Sequence, residues 1–454
     1  MARSIRSASR HGLTAREKQD PIGVAVAVLN KIASSDALDR FTPFGLNLRT
    51  STERAVYEAT RSGFRTVGLA NRQFQKVADR GRPVRVPSAL GTGSFDLTPT
   101  QDEQMLVDVV TELAAEVVRP VAAESDAVAT APESVLKAGV DIGLPILGVP
   151  EELGGVHAER SAMAGTLVAE ALAHGDMGLA VASLAPGAVA TALSLWGSEE
   201  QQATYLPAFT GDDVPAAALA LTEPRPLFDP STPATRAVRD GDDLVVTGTK
   251  SAVVRGADAE LFVVGVELDG EARLLVVESG SDGLKVEADP SMGLRAASLS
   301  RLVLEDVRVP ATALLGTAED HVACVRLSRL AWCALSLGTA QAVLDHVVPY
   351  VNERVAFGEP ISHRQSVAFM VANIAIELDS MRLVTYRAAS RAAQGKDHAR
   401  EVALARRLCA DRGMQIGNDG VQLLGGHGFV KEHPVERWYR DLRAIGVMEG
   451  GVLV

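Results

Sequence analysis

The run Gln422-Leu423-Leu424-Gly425-Gly426-His427-Gly428-Phe429, with Pro434-Val435-Glu436-Arg437-Trp438-Tyr439-Arg440-Asp441 and then Met448-Glu449-Gly450-Gly451 after it, decides how this chain is read. Paired glycines let a backbone come close to a ligand. Arg440-Asp441 can lock a turn, and Glu449 stands between an apolar run at 444–448 and two further glycines. A carboxylate so placed sheds hydration, the setting in which a side chain serves as a base. Taken singly, the pieces are a Gly-rich loop, a surface ion pair and an ordinary acid. Taken together they fit a ligand site better.

With 454 residues the chain can bury a large core and form two or three domains. Hydrophobic residues make up 47% and aromatics only 4%, the composition of a soluble protein built on Ala, Val and Leu. No apolar run is read as reaching membrane-spanning length, so no transmembrane segment is expected. Cys324, Cys333 and Cys409 are odd in number and lack C-x-x-C spacing, which argues against a disulfide framework and a metal site. A reducing compartment, bacterial cytoplasm first, fits them.

Charge separates a first region. Residues 1–95 carry sixteen Lys/Arg against seven Asp/Glu, so with a total of −12 the remainder holds −21. The first sixteen residues contain Arg3, Arg6, Arg10 and Arg16, several serines and no acid, which also suits a mitochondrial transit peptide and makes the matrix the alternative location. Helical periodicity at 22–34 and 53–80 favours a basic helical extension instead. Arg61, Arg65, Arg72, Lys76 and Arg80 read as a polar face, and without aromatic or motif support they predict no nucleic-acid partner.

A Gly/Pro/Ser-rich stretch from Arg82 to Ser94 ends that region. Thr100-Gln101-Asp102-Glu103 is a capping box, and Met105, Leu106, Val109, Val110, Leu113 and Val117 follow on one helical face. The helical pattern holds to about 214. Residues 215–316 switch to short β-rich runs, 235–238, 244–247, 261–266, 274–278 and 299–309, separated by Asp-Gly and Gly-Ser turns. No G-x-G-x-x-G follows a strand, which disfavours a Rossmann unit. Long apolar helices near 322–353, 363–394 and 398–423 predict a bundle.

In this order, the motifs resemble those of the acyl-CoA dehydrogenase family over residues 96–454. The Pro150-Glu151-Glu152-Leu153-Gly154-Gly155 turn, the Gly197-Ser198-Glu199-Glu200-Gln201 helix start and Tyr205-Leu206-Pro207 are similar to its first domain. Gly293-Leu294-Arg295 and Glu305-Asp306-Val307-Arg308-Val309-Pro310 are similar to the closing strands of its second. Arg354-Val355-Ala356-Phe357-Gly358 and the C-terminal signature belong to its third, with Glu449 nine residues after Arg440. The resemblance implies a mainly α fold with a β-barrel middle domain: a basic extension at 1–95, an all-α domain at 96–214, a β-domain at 215–316 and a C-terminal four-helix bundle at 317–454.

It also implies FAD as cofactor and an acyl-CoA substrate, oxidised to its trans-2-enoyl form. Glu449 would take the α-proton, its N–H would donate to the thioester oxygen, and flavin N5 would accept hydride. Arg329 would stand beside that carboxylate and, with Gly450, meet the substrate. Leu219, Leu221, Thr222, Val253, Val254 and Gly451 would face the flavin ring. Arg354, Phe357, Gln365, Gln422, Gly425 and Gly426 would hold the adenine-diphosphate end, Arg354 and Phe357 toward a neighbouring subunit. An electron-transfer flavoprotein and an oligomer, homomeric or with a related subunit, are the implied partners.

Departures from the family's pattern concentrate at the ring. Its Gly-Ser-Asp turn is replaced by Arg225-Pro226-Leu227-Phe228-Asp229-Pro230, and its Trp-Ile-Thr by Ala252-Val253-Val254. Gly451 stands in place of a Thr, and at Val454, where relatives add another helix, this sequence stops. Two functional classes follow: an active flavoenzyme, or a half-site subunit lending flavin contacts to a partner.

Overall fold

The computed structural model describes residues 99–155, 160–211 and 213–452. The basic extension, with its expected helices and linker, lies outside the described residues. The first helix, α1 (Gln101–Leu113), opens on the expected capping box: Thr100 and Glu103 exchange hydrogen bonds at 3.2 and 2.9 Å. Such a cap stabilises a helix start by about 1 kcal/mol. A π-helical turn, Ala114–Val118, joins α1 to α2 (Arg119–Val128). After α3 (Glu133–Asp141), α4 (Ala162–Gly175) and α5 (Met177–Trp196), a second capping box starts α6 (Glu199–Phe209) at Ser198. The amide of Gln201 in that box also reaches the carbonyls of Thr312 and Leu314.

One expectation is corrected at α5. This helix is long and apolar enough to cross a membrane by length and composition. It is 72% buried inside the protein, so its apolar surface is already covered by protein.

The middle region is an eight-stranded sheet. Its strands are β1 (Ala217–Ala220), β2 (Arg236–Asp240), β3 (Asp243–Val253), β4 (Leu261–Leu268), β5 (Glu271–Glu278), β6 (Leu284–Ala288), β7 (Ser300–Pro310) and β8 (Leu314–Leu315), ordered β6-β7-β3-β2-β4-β5-β8. β1 pairs in parallel with β4. Alternation sorts the two faces. Phe262, Val264 and Val266 on β4, with Leu275 and Val277 on β5, enter a core shared with Leu302 and Leu304 of β7 and built from sheet residues, so the sheet curls onto itself. Their neighbours Leu261, Val263, Leu274 and Val276 face the helices instead.

The last region holds three long helices, α7 (Ala318–Glu353), α8 (Gln365–Ala393) and α9 (Ala399–Leu424), then the short α10 (Val435–Asp441). A two-stranded ribbon, β9 (Val355–Ala356) with β10 (Glu359–Pro360), joins α7 to α8. α7, α8 and α9 pack on one another, and α4 packs against α7 and α8. A Cβ on Gly338 would lie 2.0 Å from the carbonyl oxygen of Glu170, so only glycine lets α7 approach α4 this closely. The Glu170 carboxylate accepts from Arg382 and Tyr386 of α8, tying α4 to α8.

Candidate active site

The site forms where the 448–451 turn meets α7, α9 and the segment after β1. Glu449 is 5% exposed and left-handed, φ +56°. That conformation costs a non-glycine residue about 1 kcal/mol, and the surroundings hold it. Arg329 of α7 donates to the Glu449 carbonyl through Nε (3.0 Å) and Nη2 (2.8 Å). Arg406 of α9 donates through Nη2 to the carbonyls on either side, Met448 (2.6 Å) and Gly450. The Glu449 N–H donates to Thr222 Oγ1 at 3.2 Å. Hydrogen bonds from charged donors are worth about 1.5–3 kcal/mol each, so the clamp outweighs the strain.

The carboxylate itself is held at one oxygen. Ser328 Oγ donates to Oε1 at 2.8 Å and Trp332 Nε1 at 3.4 Å, whereas Oε2 is buried without a partner among the described residues. Burial lowers the pKa of Arg329, opposed by Glu449. Burial and the like charge of Arg329 push Arg406 down to about 10. Two cations thus share one anion.

Behind Thr222 lies a second buried ion pair. Glu223 accepts from Lys250 Nζ at 2.9 Å and from the N–H groups of Ala234 and Thr235. Burial alone would raise the Glu223 carboxyl; Lys250 and those N–H groups outweigh it and hold it below its usual value. Burial brings Lys250 down to about 8 despite Glu223. His321, buried near that cation, falls to about 4.

A cavity of about 100 Å³ opens beside Glu449, lined by Leu219, Leu221, Thr222, Ala252, Val254 and Trp332 among others. Val253, expected there, is not. It faces the core of the sheet at 1% exposure, because the β3–β7 register shifts between Lys250 and Val253 and changes which residues point out. Gly450 (φ +98°) has no room for a side chain: a Cβ would meet Pro230 Cδ at 2.7 Å and the Phe228 carbonyl oxygen at 2.8 Å. The Gly451 N–H, expected at the flavin, donates to that same carbonyl at 2.9 Å. The unusual 225–230 segment therefore backs the 448–451 turn.

The remaining expected residues gather elsewhere. Arg354, Gln422, Gly425 and Gly426 line a cavity of about 300 Å³ with Tyr350 and His427. Gln365 is exposed at the start of α8 outside this lining, and Phe357 is 96% exposed under the Arg364 guanidinium. Arg440 and Asp441 do not lock a turn with each other. Arg440 takes Asp126 in a bidentate pair at 2.8 Å, and Asp441 accepts from the Leu294 N–H at 2.6 Å, so together they bind α10 to the first region and to the connection between β6 and β7.

Arg406 was missed from sequence. Its signal was a charge on the apolar stripe Val402, Cys409, Gly413 and Ile416 of α9. Ser328 and Trp332 carried no signal beyond helical spacing from Arg329.

A helical region, a curled sheet and a second set of helices, closing on a buried glutamate held by arginines, define a class of protein. Three family models match in the same order: the N-terminal domain of acyl-CoA dehydrogenases at 100–212, the middle domain at 218–307 and the C-terminal domain at 322–451. The chain belongs to the acyl-CoA dehydrogenase family of oxidoreductases. It is 31% identical over 369 residues to a probable acyl-CoA dehydrogenase, YngJ, of Bacillus subtilis, covering 79% of this chain and 96% of that one. Among solved structures it is similar to butyryl-CoA dehydrogenase of Megasphaera elsdenii (TM-score 0.73, 25% identity, 79% and 97% covered). It is also similar to a glutaryl-CoA dehydrogenase of Mycobacterium smegmatis in complex with FADH2 (TM-score 0.72, 25% identity, 78% and 92% covered).

Proposed function

We propose that this chain carries out FAD-dependent α,β-dehydrogenation of an acyl-CoA thioester to the trans-2-enoyl-CoA, with Glu449 removing the α-proton. One observation supports this above the others: the Glu449 carboxylate lines an apolar cavity with one oxygen free, on a backbone held by two guanidiniums. A C–H next to a thioester gives up its proton only where water is excluded and the developing enolate charge is met by fixed donors. The Glu449 N–H is a suitable donor once it exchanges Thr222 for the thioester oxygen, and its 3.2 Å bond is at the long end of the normal range. Arg329 and Arg406 act as positioning residues, since both bond the backbone and not the carboxylate.

The residues present fit FAD, unevenly at its two ends. A Cβ built on Gly425 or Gly426 would meet nothing within 4 Å, and Arg354 stands in the same cavity wall, a suitable cradle for a diphosphate. Leu219, Leu221, Ala252 and Val254 offer the ring apolar walls with no hydroxyl at 254. FAD, when bound, supplies the two-electron acceptor for the hydrogen leaving the β-carbon; an electron-transfer flavoprotein would receive those electrons. The exposed Arg354 and Phe357 suit contact with a second copy, in a dimer or a dimer of dimers.

A second reading, a half-site subunit in a hetero-oligomer, draws on the small ring-side cavity and on the mutual satisfaction of Thr222 and Glu449. The visible spectrum of the purified protein separates the two, because an active flavoenzyme carries the flavin bands. Glu449→Gln then tests the base. Exchange of the α-proton with solvent deuterium should fall by on the order of 10³- to 10⁴-fold while thioester affinity stays within about threefold, the base being an acceptor of the proton and not a main binding contact. Undiminished exchange would remove Glu449 from the mechanism.

A further inference from the structure

A larger cavity, about 210 Å³, adjoins the one at Glu449: Leu184, Ala188, Leu219, Ser328 and Ala331 line both. Its walls come from α4, α5, α7 and the 144–148 segment after α3 and are mostly apolar, with Leu144, Leu147, Ala169, Leu327 and Leu330 prominent. An acyl chain whose α-carbon stands at Glu449 has this space to run into.

The polar side chains in the wall are mostly already committed. Ser161 Oγ donates to Glu103 and accepts from the Ala164 N–H. The hydroxyls of Thr166 and Thr191 donate to the carbonyls of Ala162 and Gly187, and that of Ser328 to Glu449. Arg160 differs. This half-buried residue, just before α4, lines the cavity, and no described residue gives its guanidinium a hydrogen bond or an ion pair. Burial lowers its pKa, and no described carboxylate offsets that. A desolvated cation without a counter-charge is costly to keep unless a ligand anion meets it.

We propose that the acyl group taken by this site carries a carboxylate at its far end, bound by Arg160, so that the substrate is the CoA monothioester of a dicarboxylic acid. The assignment rests on the reading of Glu449 as α-proton base. Methylenes of the chain would cover the leucines, and the guanidinium would take the distal carboxylate as a charge-assisted pair, two oxygens against two N–H groups. A plain alkyl end would leave the cation unpaired. A carboxylate too near the thioester would fall short of it, so the preference should peak at one chain length.

The test compares matched thioesters on the full chain with its flavin. Dissociation constants from calorimetry, and α-proton exchange in deuterated buffer, are measured for straight-chain acyl-CoAs and for ω-carboxyacyl-CoAs of equal length across a series. At the best length the ω-carboxylate should bind roughly 10- to 100-fold tighter than its alkyl counterpart. Arg160→Gln should collapse that ratio toward one, and Arg160→Lys should keep part of it. Equal binding of both series at every length overturns the proposal, as does a ratio that survives Arg160→Gln. A loss in Arg160→Gln that strikes both series alike, and vanishes with pantetheine thioesters lacking the nucleotide phosphates, also overturns it by making Arg160 a phosphate contact. If alkyl thioesters exchange well without any carboxylate preference, the assignment of Arg160 alone falls. If no thioester binds or exchanges, the dehydrogenase reading falls with it.

Discussion

The turn at 448–451 and the loop at 422–429 come from one sequence signature, yet the structure treats them in opposite ways. At the turn the carbonyls of Met448, Glu449 and Gly450 are all held by arginines, the buried Arg406 and the partly buried Arg329, and the carboxylate is 5% exposed. At the loop a Cβ on Gly425 or Gly426 would meet nothing, and Phe429 is 90% exposed. Phe357, from the ribbon nearby in the motif order, is 96% exposed. A group that must hold one geometry while a proton moves is over-determined inside a single chain. On the proposed reading, a surface that takes a long dinucleotide, or a neighbouring subunit, is left open. Mutations at the first should therefore act on catalysis and folding together, and at the second on assembly and cofactor retention alone.

The sharpest test of the closed half is Arg406→Met. Two buried carbonyls lose their donor, at about 1–3 kcal/mol each, offset in part because a buried cation with two unpartnered nitrogens goes with it. A net loss near 2 kcal/mol in denaturant unfolding is expected. With the turn released, α-proton exchange should drop on the order of 100-fold, since small misplacements of a catalytic group cost that much. Arg406→Lys keeps a cation for one carbonyl and should recover part of both. Exchange within about threefold of the parent in Arg406→Met would show that the turn holds itself.

For the open half, Phe357→Ser is expected to leave the unfolding midpoint nearly unmoved, as an exposed substitution usually does. Sedimentation at micromolar concentration should show weaker association, and the fraction of protein retaining FAD after gel filtration should fall several-fold, in line with the loss of one exposed aromatic contact. A large fall in stability, with association intact, would mean that Phe357 serves this chain's own fold, contrary to its exposure.

The two halves also differ in how much of them could be read in advance. Local signals carried over well. Thr100 and Ser198 cap helices because the cap needs only a hydroxyl and an acid or amide three residues on. The alternation in β4 and β5 maps onto two faces, and Glu449 lies in the cavity wall. What failed depended on contacts distant in sequence or on a change of parity. A register shift in β3 sent Val253 inward and left Ala252 and Val254 at the cavity. The Thr222 bond to the Glu449 N–H spans 227 residues, and the Arg406 clamp 42 and 44. Arg440 and Asp441, adjacent in sequence, found partners in other regions, since neighbours on a helix point in different directions.

The smallest expected effect lies where the closed half meets the cofactor. The proposed binding is uneven, with the diphosphate end well provided and the ring end short of a hydroxyl and an aromatic cover, so FAD should bind more weakly than is usual in this family. Val254 lines the cavity at 9% exposure, and Val254→Thr adds a hydroxyl in almost the same volume. One neutral hydrogen bond to a bound ring is worth about 1 kcal/mol, or roughly fivefold in affinity. Ala252→Trp is less favourable: Ala252 is left-handed at φ +53°, where a bulky residue pays about 1 kcal/mol or more. Phe228 does not line this cavity. When the apoprotein is titrated with FAD, Val254→Thr alone should therefore gain more than Val254→Thr combined with Ala252→Trp. If neither gains, or if the unmodified chain already binds FAD as tightly as its relatives, the ring end is not the weak half, and Leu219, Leu221 and the backbone around Ala252 make up the contacts that the sequence lacks.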